Sequence, residues 1–111
     1  LNYHKMKPSK PSSLPTRLDD TTAQHIAELF SILGDTSRVK IIAALLAGAM
    51  NVQSLAETVG ISPSAISHHM RSLRQMHLVR AHKQGRQVFY SIDDQHVEEL
   101  FLRGFDHVLH G

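Results

Sequence analysis

The segment DDQHVEELFLRGFDHVLH, residues 93–110, carries three of the nine histidines of the chain and an aspartate two residues before the first of them. Asp94, His96, His107 and His110 offer one carboxylate and three imidazoles, the oxygen and nitrogen donors that a zinc-type ion takes. Their spacing decides how they could be used. A helix rises about 1.5 Å per residue, so His96 and His107 of one helix stand about 16 Å apart, whereas zinc holds its ligands about 2 Å away. One helix cannot bring both ends to one ion. The same spacing turns the helix three times plus about 20°, so the two histidines leave from a common face, with His110 about 40° to the other side of His96. Two such helices set antiparallel across a two-fold axis would join Asp94 and His96 of one chain with His107 and His110 of its partner, twice over. Each set has four donors and no open position, which suits a structural or sensory metal rather than a catalytic one. A lone histidine on a helix is ordinarily a surface group, and it is the shared face that favours ligation here. His25, His69 and His82 have no such partners and read as structural or surface residues. His4 could add one further ligand.

The elements that must position these groups are legible in the apolar spacing. Residues 1–18 hold three of the four prolines and Lys5, Lys7, Lys10 and Arg17 without an acid, and read as a disordered basic arm. Residues 19–111 read as one domain. A helix in which Ile26, Leu29, Phe30 and Leu33 recur at three- and four-residue spacing ends at Gly34, and Asp35 caps a second through Val39, Ile42, Leu45 and Leu46 until Gly48. A third carries Val52, Leu55, Ala56 and Val59 and stops at Gly60. Ser62 and Pro63 then open a fourth, ISPSAISHHMRSLRQM, with Ala65, Ile66, Met70 and Leu73 buried. Two short helices about a glycine turn are a helix-turn-helix. Alternation at Leu78 and Arg80, and again at Val88, Tyr90 and Ile92, brackets HKQGRQ and predicts a β-hairpin with a basic tip. A final helix from about Asp94 to His110 bears the stripe Val97, Leu100, Phe101, Phe105 and Val108. The expected fold is mainly α with a β-hairpin wing, a winged helix-turn-helix.

Charge points the fourth helix at a polyanion. The net charge is only +2, yet residues 58–92 contain no acid and hold Arg71, Arg74, Arg80, Lys83 and Arg86. Ser64, Ser67, His68 and Arg71 fall on the exposed side of the helix behind Ser62, where short polar side chains read base edges and cations meet phosphates. Lys83 and Arg86 of the wing extend the set. One such module reads few base pairs, so a homodimer on a near-palindromic double-stranded operator is expected.

Composition excludes several classes. With 111 residues, 41% apolar and 20% charged, the chain supports one modest core. The absence of cysteine excludes disulfides and thiolate metal sites. The longest apolar run, residues 41–50, is too short to span a bilayer, and no signal-peptide pattern opens the chain, so a cytoplasmic protein without a membrane partner is expected. No activating base in a pocket is visible, so neither an enzyme nor a small-molecule substrate is expected.

The stretches LGDTSRVKIIAALL, VQSLAETVGISPSAISHHMRSLRQMHLVR and KQGRQVFYSI, with the D-x-H…H-x-x-H ending, resemble the ArsR/SmtB family of metal-sensing repressors over about residues 22–110, and the ending resembles its zinc-responsive branch. The resemblance implies a winged-helix homodimer that binds its operator without metal and releases it when Zn2+ or Co2+ binds Asp94, His96, His107 and His110. It also implies that a metal-bound His107 couples to the backbone carbonyl of His77. The family's cysteine site is missing, with Asn51 and Gln53 where thiolates would stand. Ni2+, or a regulator answering a non-metal input, remains the alternative reading.

Overall fold

The computed structural model describes residues 17–111. The expected basic arm and His4 lie outside the described residues, except for Arg17 and Leu18 at its end. Five helices and three short strands follow: α1 (Asp20–Leu33), α2 (Thr36–Leu45), β1 (Met50–Asn51), α3 (Val52–Val59), α4 (Pro63–Gln75), β2 (Val79–Gln84), β3 (Gln87–Ile92) and α5 (Gln95–His110). Every helix starts on a side chain that accepts an otherwise orphaned backbone N–H: Asp19, Asp35, Asn51, Ser62 and Asp94. α3 stops at Gly60, which sits in the left-handed region at φ 82° and lets the chain turn directly into α4.

Ile41, Ile42, Leu55, Ile66, Met70 and Leu73 are fully buried and lock α2, α3 and α4 together. Leu78, Val79 and Tyr90 extend this core under the sheet, and Val97 and Phe101 pin α5 to it. The sheet is antiparallel in the order β1-β3-β2.

Four expectations need correction. First, the hairpin has a third strand, β1, paired through Met50 with Tyr90 and Asn51 with Phe89. Two residues carry no periodicity, so only tertiary pairing makes them a strand. Second, the inward residues of β2 are Val79 and Ala81; Arg80 points out, its Nε donating to Ser91 Oγ at 3.4 Å. Leu78 is buried from the turn before the strand, where His77 adopts φ 56°. Third, the basic tip is tighter than HKQGRQ suggested. The strands run to Gln84 and from Gln87, leaving a two-residue loop with Gly85 at φ 65°. A positive φ at the first loop position but not the second is the II′ pattern, which matches strand twist. Fourth, the stripes on α1 and α5 are only partly covered: Ile26, Phe30, Leu100 and Val108 remain exposed.

Candidate nucleic-acid interface and metal centre

Burial of Ile66, Met70 and Leu73 fixes one side of α4 against the core and leaves Ser64, Ser67, His68 and Arg71 exposed on the other. Ser62 is exposed as well, with its Oγ accepting from the Ala65 N–H at 3.1 Å. The cap therefore engages the hydroxyl oxygen while its proton stays available to an acceptor such as a phosphate. Lys83 and Arg86 are exposed on the wing. His82 stacks on Phe89 across the hairpin with ring centroids 5.9 Å apart, which stiffens the wing near its tip.

The sequence reading missed part of this surface. Ser67, Arg71, Arg74 and Gln75 line an open cleft of about 460 Å³ together with Tyr90 of β3. Among the described residues no carboxylate pairs with Arg71 or Arg74. Two guanidiniums one helical turn apart, in a cleft with two further polar side chains, suit a phosphate. The i, i+3 spacing of Arg71 and Arg74 was the available signal, but Tyr90 could be placed beside them only by the fold.

Of the two roles expected for His69, structural or surface, the fold selects the first: it is half-buried, and its Nδ1 accepts from Arg38 Nε at 3.1 Å, tying two helices together.

At the C-terminal end, Asp94 is the cap of α5, with Oδ1 accepting from the Val97 N–H at 3.0 Å. His96 Nδ1 lies 3.8 Å from the same oxygen. The side chains of both are open to solvent, at 52% and 93% exposure, and Oδ2 of Asp94 has no part in the cap. His107 and His110 are exposed at the other end of the helix. Within one chain, the described residues contain no group of three or more metal-capable side chains. The fold brings Asp94 and His96 together and does not bring either to His107 or His110, as the helix geometry requires. Among the described residues no hydrogen bond joins His77 to His107; His77 is exposed and its N–H donates to the Arg74 carbonyl at 3.0 Å.

Between α1 and α5 runs an apolar groove of about 370 Å³, lined by Phe30, Leu33, Val39, Leu100, Phe101, Gly104, Phe105 and Val108.

Comparison with known proteins agrees with this architecture. The profile of "Bacterial regulatory protein, arsR family" matches residues 35–81, which run from the cap of α2 into β2. The HTH-type transcriptional regulator NmtR of Mycobacterium tuberculosis is 36% identical over 104 residues, covering 94% of this chain and 82% of that protein. The chain belongs to the ArsR family. The transcriptional repressor SmtB homolog of Synechocystis is 42% identical over 86 residues, 78% of this chain and 65% of that protein. The solution structure of apo-NmtR superposes with a TM-score of 0.73 at 32% identity, covering 95% of this chain and 88% of that one. This ArsR-family chain is therefore a winged-helix transcriptional regulator and not an enzyme. Among the described residues no helix is long and apolar enough to cross a membrane.

Proposed function

We propose that this protein is a homodimeric repressor that holds operator DNA in its metal-free form and releases it when zinc or cobalt binds between the two copies of α5. The observation that carries the reading is the division of donors on α5. Asp94 and His96 already lie side by side and open to solvent, while His107 and His110 stand at the far end of the same face. An antiparallel partner helix completes each set with the partner's His107 and the partner's His110. Three imidazoles and one carboxylate match a four-coordinate zinc-type site, and Asp94 can serve it through Oδ2 while Oδ1 keeps the helix cap.

The apolar groove between α1 and α5 supports the dimer. A monomer left with Phe30, Leu100 and Val108 exposed beside an open groove keeps apolar area in water that a second copy would cover. Operator contact falls to Ser62, Ser64, Ser67, His68 and Arg71 on α4, and to Lys83 and Arg86 on the wing. Bound metal would supply a cross-link between the two α5 ends that favours one dimer shape over another. His77, at the strained turn between α4 and β2, is where a tug from His107 would reach the recognition helix. Only a few kcal/mol of coupling is required, since each 1.4 kcal/mol changes affinity about tenfold.

The test is operator affinity by fluorescence anisotropy at fixed salt, with and without stoichiometric zinc. A loss of about tenfold or more is expected, and it should vanish in an Asp94→Ala/His96→Ala protein that still binds DNA. A normal zinc response in that variant would refute the assigned site. Nickel, run in parallel, separates a four-coordinate site from one that demands more ligands.

A further inference from the structure

Arg38 ties together three helices. From α2 its Nε donates to His69 Nδ1 of α4 at 3.1 Å, its Nη1 to the Ile32 carbonyl of α1 at 3.2 Å, and its Nη2 to Ser72 Oγ of α4 at 3.4 Å. Apolar packing of Ile66, Met70 and Leu73 sets how deep α4 sits, but such contacts are non-directional and tolerate rotation about the helix axis. The guanidinium fork is directional and planar, so it fixes that rotation. His69 and Ser72 lie roughly a third of a turn round α4 from the stripe of Ser64, Ser67 and Arg71. The bonds therefore act as a lever on the face that meets DNA without themselves touching it.

The contact to His69 imposes a chemical condition. Nδ1 accepts only when the ring is neutral with its proton on Nε2. A protonated ring has a donor at both nitrogens and faces Arg38 as a second cation. The charged groups of α2 beside the ring are the Asp35 carboxylate at the helix cap and the Arg38 guanidinium. His68 of α4 meets the His69 ring edge-on at 5.9 Å. From α1 the group at the cluster is the uncharged Ile32 carbonyl.

We infer that Arg38 and His69 are positioning residues for the recognition helix, forming a latch that holds α4 in its DNA-reading orientation only while His69 is neutral, so that operator binding carries a proton input independent of metal. The proposal rests on the assignment of α4 as the operator-reading helix. Its sign is fixed: acid opens the latch and weakens binding. The size is bounded by the bond that is lost, because a conformational equilibrium shifts by no more than the differential interaction behind it. One charge-assisted hydrogen bond corresponds to about a tenfold effect.

The experiment uses the full chain in chelator, with a duplex enriched from a random-sequence pool against the protein at about pH 8. Affinity is measured at fixed salt at about pH 8 and about pH 5.5, on either side of the usual imidazole range. His69→Asn places an amide oxygen near the Nδ1 position and cannot titrate. Wild type and this variant should bind alike at the higher pH, with wild type about tenfold weaker than the variant at the lower. Protonation of His68 is common to both proteins and cancels in the ratio. In an Arg38→Met background His69→Asn should have no pH-dependent effect, which a merely structural histidine would not predict. If His69→Asn fails to melt cooperatively, Arg38→Met alone takes its place, expected about tenfold weaker than wild type at about pH 8 and equal to it at about pH 5.5. A ratio equal at both pH values, or one that persists without Arg38, overturns the latch alone. A wild type that binds no duplex overturns the operator assignment and the latch with it.

Discussion

Replacing Phe30 with glutamate tests the dimer and the divided metal site in one protein. Phe30 sits on α1, in the apolar groove, and its side chain is remote in sequence from every proposed ligand. It is 56% exposed in the single chain. Complete burial of such a side chain is worth about 1.5–3 kcal/mol, so roughly half, about 1–1.5 kcal/mol, remains to be gained from a partner. A two-fold interface counts it twice, giving about 2–3 kcal/mol, and stranding a carboxylate at each position adds a desolvation cost. Dimer affinity should fall by about a hundredfold. The monomer itself should be little affected, because Leu29 and Leu33 still hold α1 to the core, and thermal melting of dilute protein checks this. Sedimentation equilibrium reads the dimer, and competition with a chromophoric chelator reads zinc. Phe30→Glu touches no ligand, so zinc affinity should fall only through loss of the partner's His107 and the partner's His110. An unchanged dimer constant would refute the groove as the interface. A monomer that keeps wild-type zinc affinity would refute the divided site.

Arg74→Ala should weaken binding equally on operator and unrelated duplex, and should lower the slope of log affinity against log salt by about one per copy, as loss of a phosphate contact requires; an unchanged slope would remove the Arg71–Arg74 cleft from the interface. Gly60→Ala meets no atom within 4 Å, so its cost is the backbone's alone, about 1 kcal/mol for a side chain held at positive φ, read as a drop in melting temperature of roughly 4–8 °C. Asp35 accepts the Arg38 N–H, which holds its carboxyl below the ordinary value of 3.8. A depressed carboxyl stabilises the fold above its unfolded value and loses that contribution as pH falls through the folded one. Asp35→Ala should therefore melt lower than wild type at neutral pH, with the gap closing only below about pH 4; a gap that stays constant to pH 2 would show that the charge plays no part.

The helices of this protein are written locally. Asp19, Asp35, Asn51, Ser62 and Asp94 each cap within three residues of themselves, and Gly60 turns the chain where no side chain would be tolerated without strain, so sequence spacing alone placed the helix-turn-helix and the face of α4. The angular logic of Asp94, His96, His107 and His110 is equally local, since a helix has a fixed rise and turn. Other features depend on residues far apart in the chain. β1 exists only because β3 pairs with it. The inward face of β2 is set by its register with β3, and a one-residue slip there exchanges the two faces. Tyr90 reaches the Arg71–Arg74 cleft across the sheet. Arg38 meets His69 and Ser72 across 31 and 34 residues of sequence, a contact that no periodicity encodes, because it is the packing of α2 against α4 that brings the guanidinium to the imidazole.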